Sequence, residues 1–455
     1  MGLRILALIM LPLLAYPVFG WTQTREQPAP TFTRDVMPIL QEHCQTCHRH
    51  GEIAPMSLMS FEEVRPWARA IREKVLTRVM PPWHADPHFG EFSNDRRLSD
   101  REIQTVERWV EAGAPEGNPA DLPAPKTFVE GWSIGQPDVV LSMTEEFKVS
   151  AKGSDEYVYF AIPTHFTEDK YIRAIEVRPG NRRVVHHVIA LAQKGGAGVP
   201  ARGPANNNRI AGSTLFTGEE SAIWVADDAP VYDNECPVPN SFEIRTGDLT
   251  AGTRPLIGGY VPGGSANTLP PGIVQKIPAG SEILLQIHYA KTGKEESDRT
   301  SVGIVFSKEP QAKLIQTRWV MNHYFRIPAN AANHEVKSCY TFDKDVDVLS
   351  YAPHMHVRGK DMEFKANYPD GRSEILFRTP AYDFNWQTVY WLKSPLHIPR
   401  GTRIEVTAHY DNSIGNRANP NPNTDVRWGD PTYYEMMIGG INFVPSDETR
   451  TARQP

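Results

Sequence analysis

Cysteine is scarce in this chain of 455 residues: there are four, at positions 44, 47, 236 and 339. Four is too few for a disulfide-built scaffold, so each is expected to have a specific task. Basic charge is not in excess either. Lys and Arg number 48 against 54 Asp and Glu, the formal net charge is −6, and no Lys/Arg stripe is interleaved with aromatics. Nucleic acid is therefore not an expected partner. Beyond the first twenty residues no stretch is apolar enough to span a membrane.

Those first twenty residues read as an address. Arg4 precedes the apolar run Ile5 to Val18, and small or turn-forming residues follow around Gly20. The run is shorter than the ~20 residues of a spanning helix. Residues 1–20 are accordingly expected to be a secretory signal, with an uncleaved anchor as the alternative reading. The expected location is periplasmic or secreted, with no stable membrane span after cleavage.

The length calls for two to four domains. Residues 31–115 read as helical. Val36, Ile39, Leu40 and His43 follow helical spacing, and Ser99-Asp100-Arg101-Glu102 is a capping box opening an amphipathic helix that stops at Gly113. A Pro/Gly/Ala-rich linker over 116–130 follows. Thereafter short β-rich runs recur, among them Tyr157–Ile162, Val184–Leu191, Ile283–Tyr289, Val346–Tyr351, Ile404–Tyr410 and Met436–Phe443. With Gly, Pro and Asn in the turns, they predict antiparallel sandwiches. The frame I-P-x-G-[ST]-x-I leading to H-Y occurs twice, at Ile277–Tyr289 and at Ile398–Tyr410. This repeat predicts two related β-domains, 131–320 and 321–447. The expected class is multidomain: a small all-α domain followed by two antiparallel β-sandwich domains.

Cys44-Gln45-Thr46-Cys47-His48 is the most specific motif. Two thiols in C-x-x-C spacing can add to haem vinyl groups, and the next His can reach the iron, so haem c is an expected covalent cofactor. A thioredoxin-like pair would need a βαβ setting that the pattern lacks. The sixth ligand is expected at Met80, in Val79-Met80-Pro81-Pro82-Trp83, which resembles the Met-Pro loop of small class I cytochromes c. Met56 is the main alternative and His84 a weaker one. A thioether ligand raises the haem potential and suits electron transfer.

Histidines supply a second set of candidates. His186 and His187 are adjacent in a β-rich run, where neighbouring side chains point to opposite faces. They can share one metal only at a bulge, a strand end or a strong twist. His354-Met355-His356 places two imidazoles on one face of a strand, His288 ends another strand, and Glu435-Met436-Met437 offers thioethers. Imidazole suits copper, and a thioether favours Cu(I). His43, His50, His84, His88, His165, His323, His334 and His397 lack a partner motif, and solvation or ordinary hydrogen bonding is the expected state for them.

The order His-His, Leu-Gln-x-His-Tyr, His-x-His, Glu-Met over roughly 130–445 resembles the copper type II, ascorbate-dependent monooxygenases. The resemblance implies that the two sandwiches are jelly-roll-like, following the all-α cytochrome c domain that the haem motif implies, and that they hold two copper ions. His186, His187 and His288 would bind an electron-transfer copper, while His354, His356 and Met436 would bind an oxygen-activating one. His409 competes with Met436, since the repeat makes it the counterpart of His288, and Met437 could substitute. Gln286 matches a Gln of the family motif, with a supporting role or solvent exposure both open. Family members carry several disulfides, whereas here only Cys236 and Cys339 could pair.

The function this implies is hydroxylation of a C–H bond with dioxygen. The haem would relay electrons from an external donor to copper, and the substrate, a small molecule or peptide-like compound, is not specified. The alternatives are an electron-transfer or copper-binding protein without hydroxylase activity, and a haem-containing binding module whose histidines are structural.

Overall fold

The structure, a computed structural model, describes residues 28–446 except 51, 53, 129–130, 154, 196–212, 217–231, 234–235, 238–254, 262–265, 310–311 and 430–431. The expected signal over 1–20 lies outside the described residues. Among those described, no helix is long and apolar enough to cross a membrane.

Among the described residues the α-helices are short and lie in the N-terminal quarter. Met37–His43 continues a π-turn at Phe32–Val36, Ala68–Leu76 follows, and Asp100–Glu111 completes the set of longer ones. The Asp100 helix starts where Ser99 and Glu102 satisfy each other's backbone N–H groups, a complete capping box. Its apolar face buries Ile103, Val106 and Trp109. Phe32, Val36, Leu40 and Trp109 meet in one cluster, and the Trp109 indole N–H donates to the Pro115 carbonyl at 2.9 Å. The segment expected as a linker lies on this body: Lys126 Nζ donates to the Gln41 carbonyl, and Gln41 Nε2 to that of Ala124.

Two sheets follow in the first β-unit. One is built around Lys170–Arg178, flanked by Ser301–Phe306 and Ile273–Ile277. The other runs in the order Ser213–Phe216, Glu156–Pro163, Ser281–Tyr289, Val185–Lys194, Leu256–Tyr260. Residues of both sheets share an apolar cluster that includes Val158, Ile175, Val188, Leu285 and Ile304. The second β-unit has a sheet ordered Gln316–Met321, Ile438–Pro445, Val346–His354, Tyr390–Ile398. Its other sheet is ordered His334–Thr341, Arg403–Tyr410, Gly359–Asn367, Ser373–Thr379. The two repeated turns precede corresponding inner strands. Gly280 and Gly401 take left-handed φ values of 66° and 85° there, which a residue with a Cβ adopts only at a cost. Each strand ends in a fully buried tyrosine, Tyr289 or Tyr410.

The expected composite of a separate all-α cytochrome c domain and two jelly-roll-like sandwiches is corrected. Among the described residues the β-structure is four-bladed, in that its larger sheets number four, of six, five, four and four strands, with two-stranded ribbons beside them. Helix is a minor part of the described residues, and its longest piece among them has 12 residues. The N-terminal part does not close on itself either. The Ala68–Leu76 helix is closed by Thr77, and Arg78 takes a left-handed φ of 55°. Pro81, Pro82 and Pro87 then disfavour any new helix, since proline lacks the N–H a helix needs. The chain then runs as an extended strap over the second β-unit. Trp83, Ala85 and Phe92 are buried in that unit's core. Backbone N–H groups of Asp86 and Ser93 donate to Arg378 and Trp391, and that of Lys393 donates to Glu91.

Candidate metal centre

The strands Val185–Lys194 and Ser281–Tyr289 pair in register until His288 faces His187. The register then slips, and Tyr289 faces Val185. His186 is the extra residue of this bulge. A bulge re-aims side chains, and here it turns His186 to the same side as its neighbour. The Nδ1 atoms of His186 and His187 are 3.2 Å apart, and those of His187 and His288 are 3.4 Å apart. The ligand atoms of all three lie within 4.8 Å of one another. Imidazoles holding a tetrahedral ion at ~2.0–2.1 Å set N···N edges of roughly 3.3 Å, so the spacing fits.

Surroundings favour the ligand form. Burial, reinforced by neighbouring His288, lowers His186 to about 4. Burial also holds His187 well below the usual histidine range, helped by His288, His186, His354 and His356. Burial thus favours the neutral, ligating form of both. His288 is oriented from behind by Asp155, whose Oδ2 accepts from Nε2 at 2.8 Å. The Tyr157 ring stacks on the His288 ring at 4.4 Å between centroids. Gln286 is buried, not exposed, and its amide donates to the Tyr159 hydroxyl.

His354 and His356 face this cluster from the second β-unit, with rings 5.3 Å apart and nearly perpendicular. Their Nδ1 atoms are engaged elsewhere: that of His354 by Gln387 Oε1 at 2.8 Å, that of His356 by the Tyr434 carbonyl at 3.2 Å. Met436 packs against the apolar core. Its neighbour Met437 is fully buried within that core. His409 is held between Asp361, at 2.7 Å, and Glu335, at 3.5 Å. The expected pair of copper ions is therefore corrected. Among the described residues one group of three His, Cys, Asp or Glu side chains converges, the His186/His187/His288 cluster. The copper-dependent monooxygenase chemistry built on two such sites falls with that pair.

The haem expectation is corrected as well. Neither Cys44 nor Cys47 is in a disulfide. Cys44 packs against the Phe32/Leu40/Trp109 cluster, and burial pushes its thiol up to about 12. Burial raises Cys47 too. His48 Nδ1 lies 3.2 Å from the Met56 carbonyl oxygen, and Met56 shares the Cys44 cluster. Met80 instead begins the strap, its N–H donating to the Lys74 carbonyl. A ring joined to both thiols needs an open slot beside them. Cys44 is instead packed among Phe32, Leu40 and Trp109. In this arrangement Cys44, Cys47, His48 and Met80 do not fit a covalent haem, and the relay from haem to copper is set aside with it. Cys339 is disulfide-bonded. Its strand packs beside the short strand Cys236–Pro237.

Asp155, Tyr157, Phe384 and Gln387 carry no signal of their own in the sequence. The first two sit across a strand pair from His288, and the others come from a loop about a hundred residues further on.

No protein-family model matches the chain, and no curated protein matches it. The resemblance to copper type II monooxygenases is thus without support from either comparison. Among solved structures, the chain is similar to the infectious bursal disease virus VP2 subviral particle at 9% identity. That match covers 70% of this chain and 75% of that one, with a TM-score of 0.19. It is also similar to PNGF-II at 9% identity, covering 68% and 65%, with a TM-score of 0.27. Likenesses this slight carry no argument about fold or function.

Proposed function

We propose that this chain is an exported metal-binding protein holding one first-row transition-metal ion through Nδ1 of His186, His187 and His288. The convergence of three imidazoles at ligand spacing supports this reading. Turning three ring nitrogens toward one point leaves their lone pairs facing each other, and a shared cation relieves that. Three protein ligands leave a fourth position for water or a small ligand, where the ion would act as a Lewis acid or redox centre. The residues around it have separable tasks. Asp155 fixes the His288 tautomer, as a carboxylate behind a ligating imidazole does. His354 and His356 line the space opposite and offer Nε2 atoms to whatever occupies the open position. Export rests on the Arg4 and Ile5–Val18 pattern.

The test is a metal titration of the full chain with Zn²⁺, Co²⁺, Ni²⁺ and Cu²⁺, each alone, followed by metal analysis after desalting. One ion per chain, lost in His187→Ala, supports the reading. Retention of an ion by His187→Ala with unchanged stoichiometry, or no tight binding of any of the four, overturns it.

A further inference from the structure

The loop between strands Ser373–Thr379 and Tyr390–Ile398 reaches from the second β-unit to the metal cluster of the first. Phe384, on this loop, lies face to face with His186, at 5.3 Å between centroids and 15° between planes. The same ring meets His356 edge-on at 5.8 Å. Three residues later Gln387 fixes His354 through Nδ1. One loop thus touches three of the five histidines gathered here.

Its ends are held firmly. Before the loop, the Arg378 carbonyl accepts from Asp86. After it, Asn94 donates to the Val389 carbonyl at 2.8 Å and accepts from Trp391 N–H at 3.1 Å. The Trp83 ring packs edge-on against Tyr390 at 4.9 Å. The N-terminal strap therefore staples both flanks of the loop, which limits how far Phe384 can drift from His186. His186 needs that support most. It is the bulged residue, and it is less buried than His187 or His288.

We propose that Phe384 is a positioning residue for the metal centre, and that through it metal binding and the docking of the two β-units are one coupled event. This rests on the three-histidine reading above. The stacked ring presets the His186 plane, so less rotational freedom is lost when Nδ1 takes the ion. Because His186 belongs to one unit and Phe384 to the other, an ion that fixes His186 also favours the docked arrangement. By linkage, docking favours the ion to the same degree.

The experiment compares the full-length protein with Phe384→Ala, Phe384→Tyr and His187→Ala. Each is titrated with Co²⁺, which reports on ligand geometry through its visible spectrum, and amide hydrogen exchange is followed over 381–388 with and without the ion. Phe384→Ala is expected to weaken Co²⁺ binding about 10–100-fold, in the range of other residues that orient ligands. Phe384→Tyr, which keeps the ring, should restore affinity and spectrum. Co²⁺ should slow exchange over 381–388 in the parent and in Phe384→Tyr, but not in His187→Ala. A parent that binds Co²⁺ at the His187-dependent site, while Phe384→Ala matches it in affinity, spectrum and exchange, overturns the coupling and leaves the metal reading intact. A parent that binds no ion overturns both.

Discussion

Asp155 Oδ2 accepts a hydrogen bond from His288 Nε2 at 2.8 Å, on the side of the imidazole away from the other two histidines. The bond settles which ring nitrogen carries the proton, leaving Nδ1 free to meet His187 Nδ1 at 3.4 Å. Asp155→Asn keeps the size of the side chain but removes the charge that makes His288 a better donor to a metal. Metal affinity should fall about 10–100-fold while the thermal midpoint of the metal-free protein changes little. Calorimetric titration beside a melting curve checks both. An unchanged affinity would mean that the carboxylate merely decorates the ring.

The metal should also stabilise the fold. An ion present at 100 times its Kd adds about 2.7 kcal/mol if it binds only the native state. His187→Ala should lose this increment entirely. It replaces a buried imidazole, so the metal-free variant must serve as its own reference. A midpoint that rises equally in parent and variant would place the ion elsewhere.

Some of this was legible in the sequence, because some signals are local. The Ser99/Glu102 capping box is read from four adjacent residues and is present as such. The two I-P-x-G turns mark inner strands because glycine and proline act on their own backbone. The convergence of His186 and His187 was legible only as a condition. Adjacent strand residues diverge unless the ladder slips, and the slip is set by the partner strand at Tyr289/Val185. The strap was illegible. Trp83, Ala85 and Phe92 have neither helical nor strand periodicity, and what buries them is nearly three hundred residues away. The C-x-x-C-H spacing misled for the same reason: spacing says nothing about the cluster in which Cys44 is packed.

Acid should weaken the metal-free protein in a defined window. His186 and His354 are each lowered to about 4, first of all by burial, whereas an unfolded histidine titrates near 6.5. Between those values the unfolded chain binds more protons than the folded one, so stability is fully present above pH 6.5 and is lost as pH falls toward 4. The loss is on the order of 3 kcal/mol per imidazole at its limit. Urea unfolding from pH 7.5 to 4.5 measures it. Burial holds His187 and His356 low as well. His354→Asn therefore removes one of several such groups and should flatten the slope, while a slope identical to the parent's would show that His354 is not among the residues titrating.

The strap gives the sharpest test of the architecture. Trp83 and Phe92 belong to an N-terminal segment but are 7% and 3% exposed within the second β-core, their rings 5.9 Å apart. Phe92 also packs edge-on against Phe377 at 5.8 Å and Tyr390 at 5.7 Å. Removing such a ring from a packed core leaves a cavity and costs about 3–5 kcal/mol. Phe92→Ala should therefore destabilise the β-unit, not the helices. Hydrogen exchange should rise over Ser373–Thr379 and Tyr390–Ile398 while Asp100–Glu111 stays protected. Because those strands flank the Phe384 loop, metal affinity should fall in the same variant. The opposite pattern, with loosened helices and a protected β-unit, would mean that the strap is anchored by the helical body and only rests on the sheet.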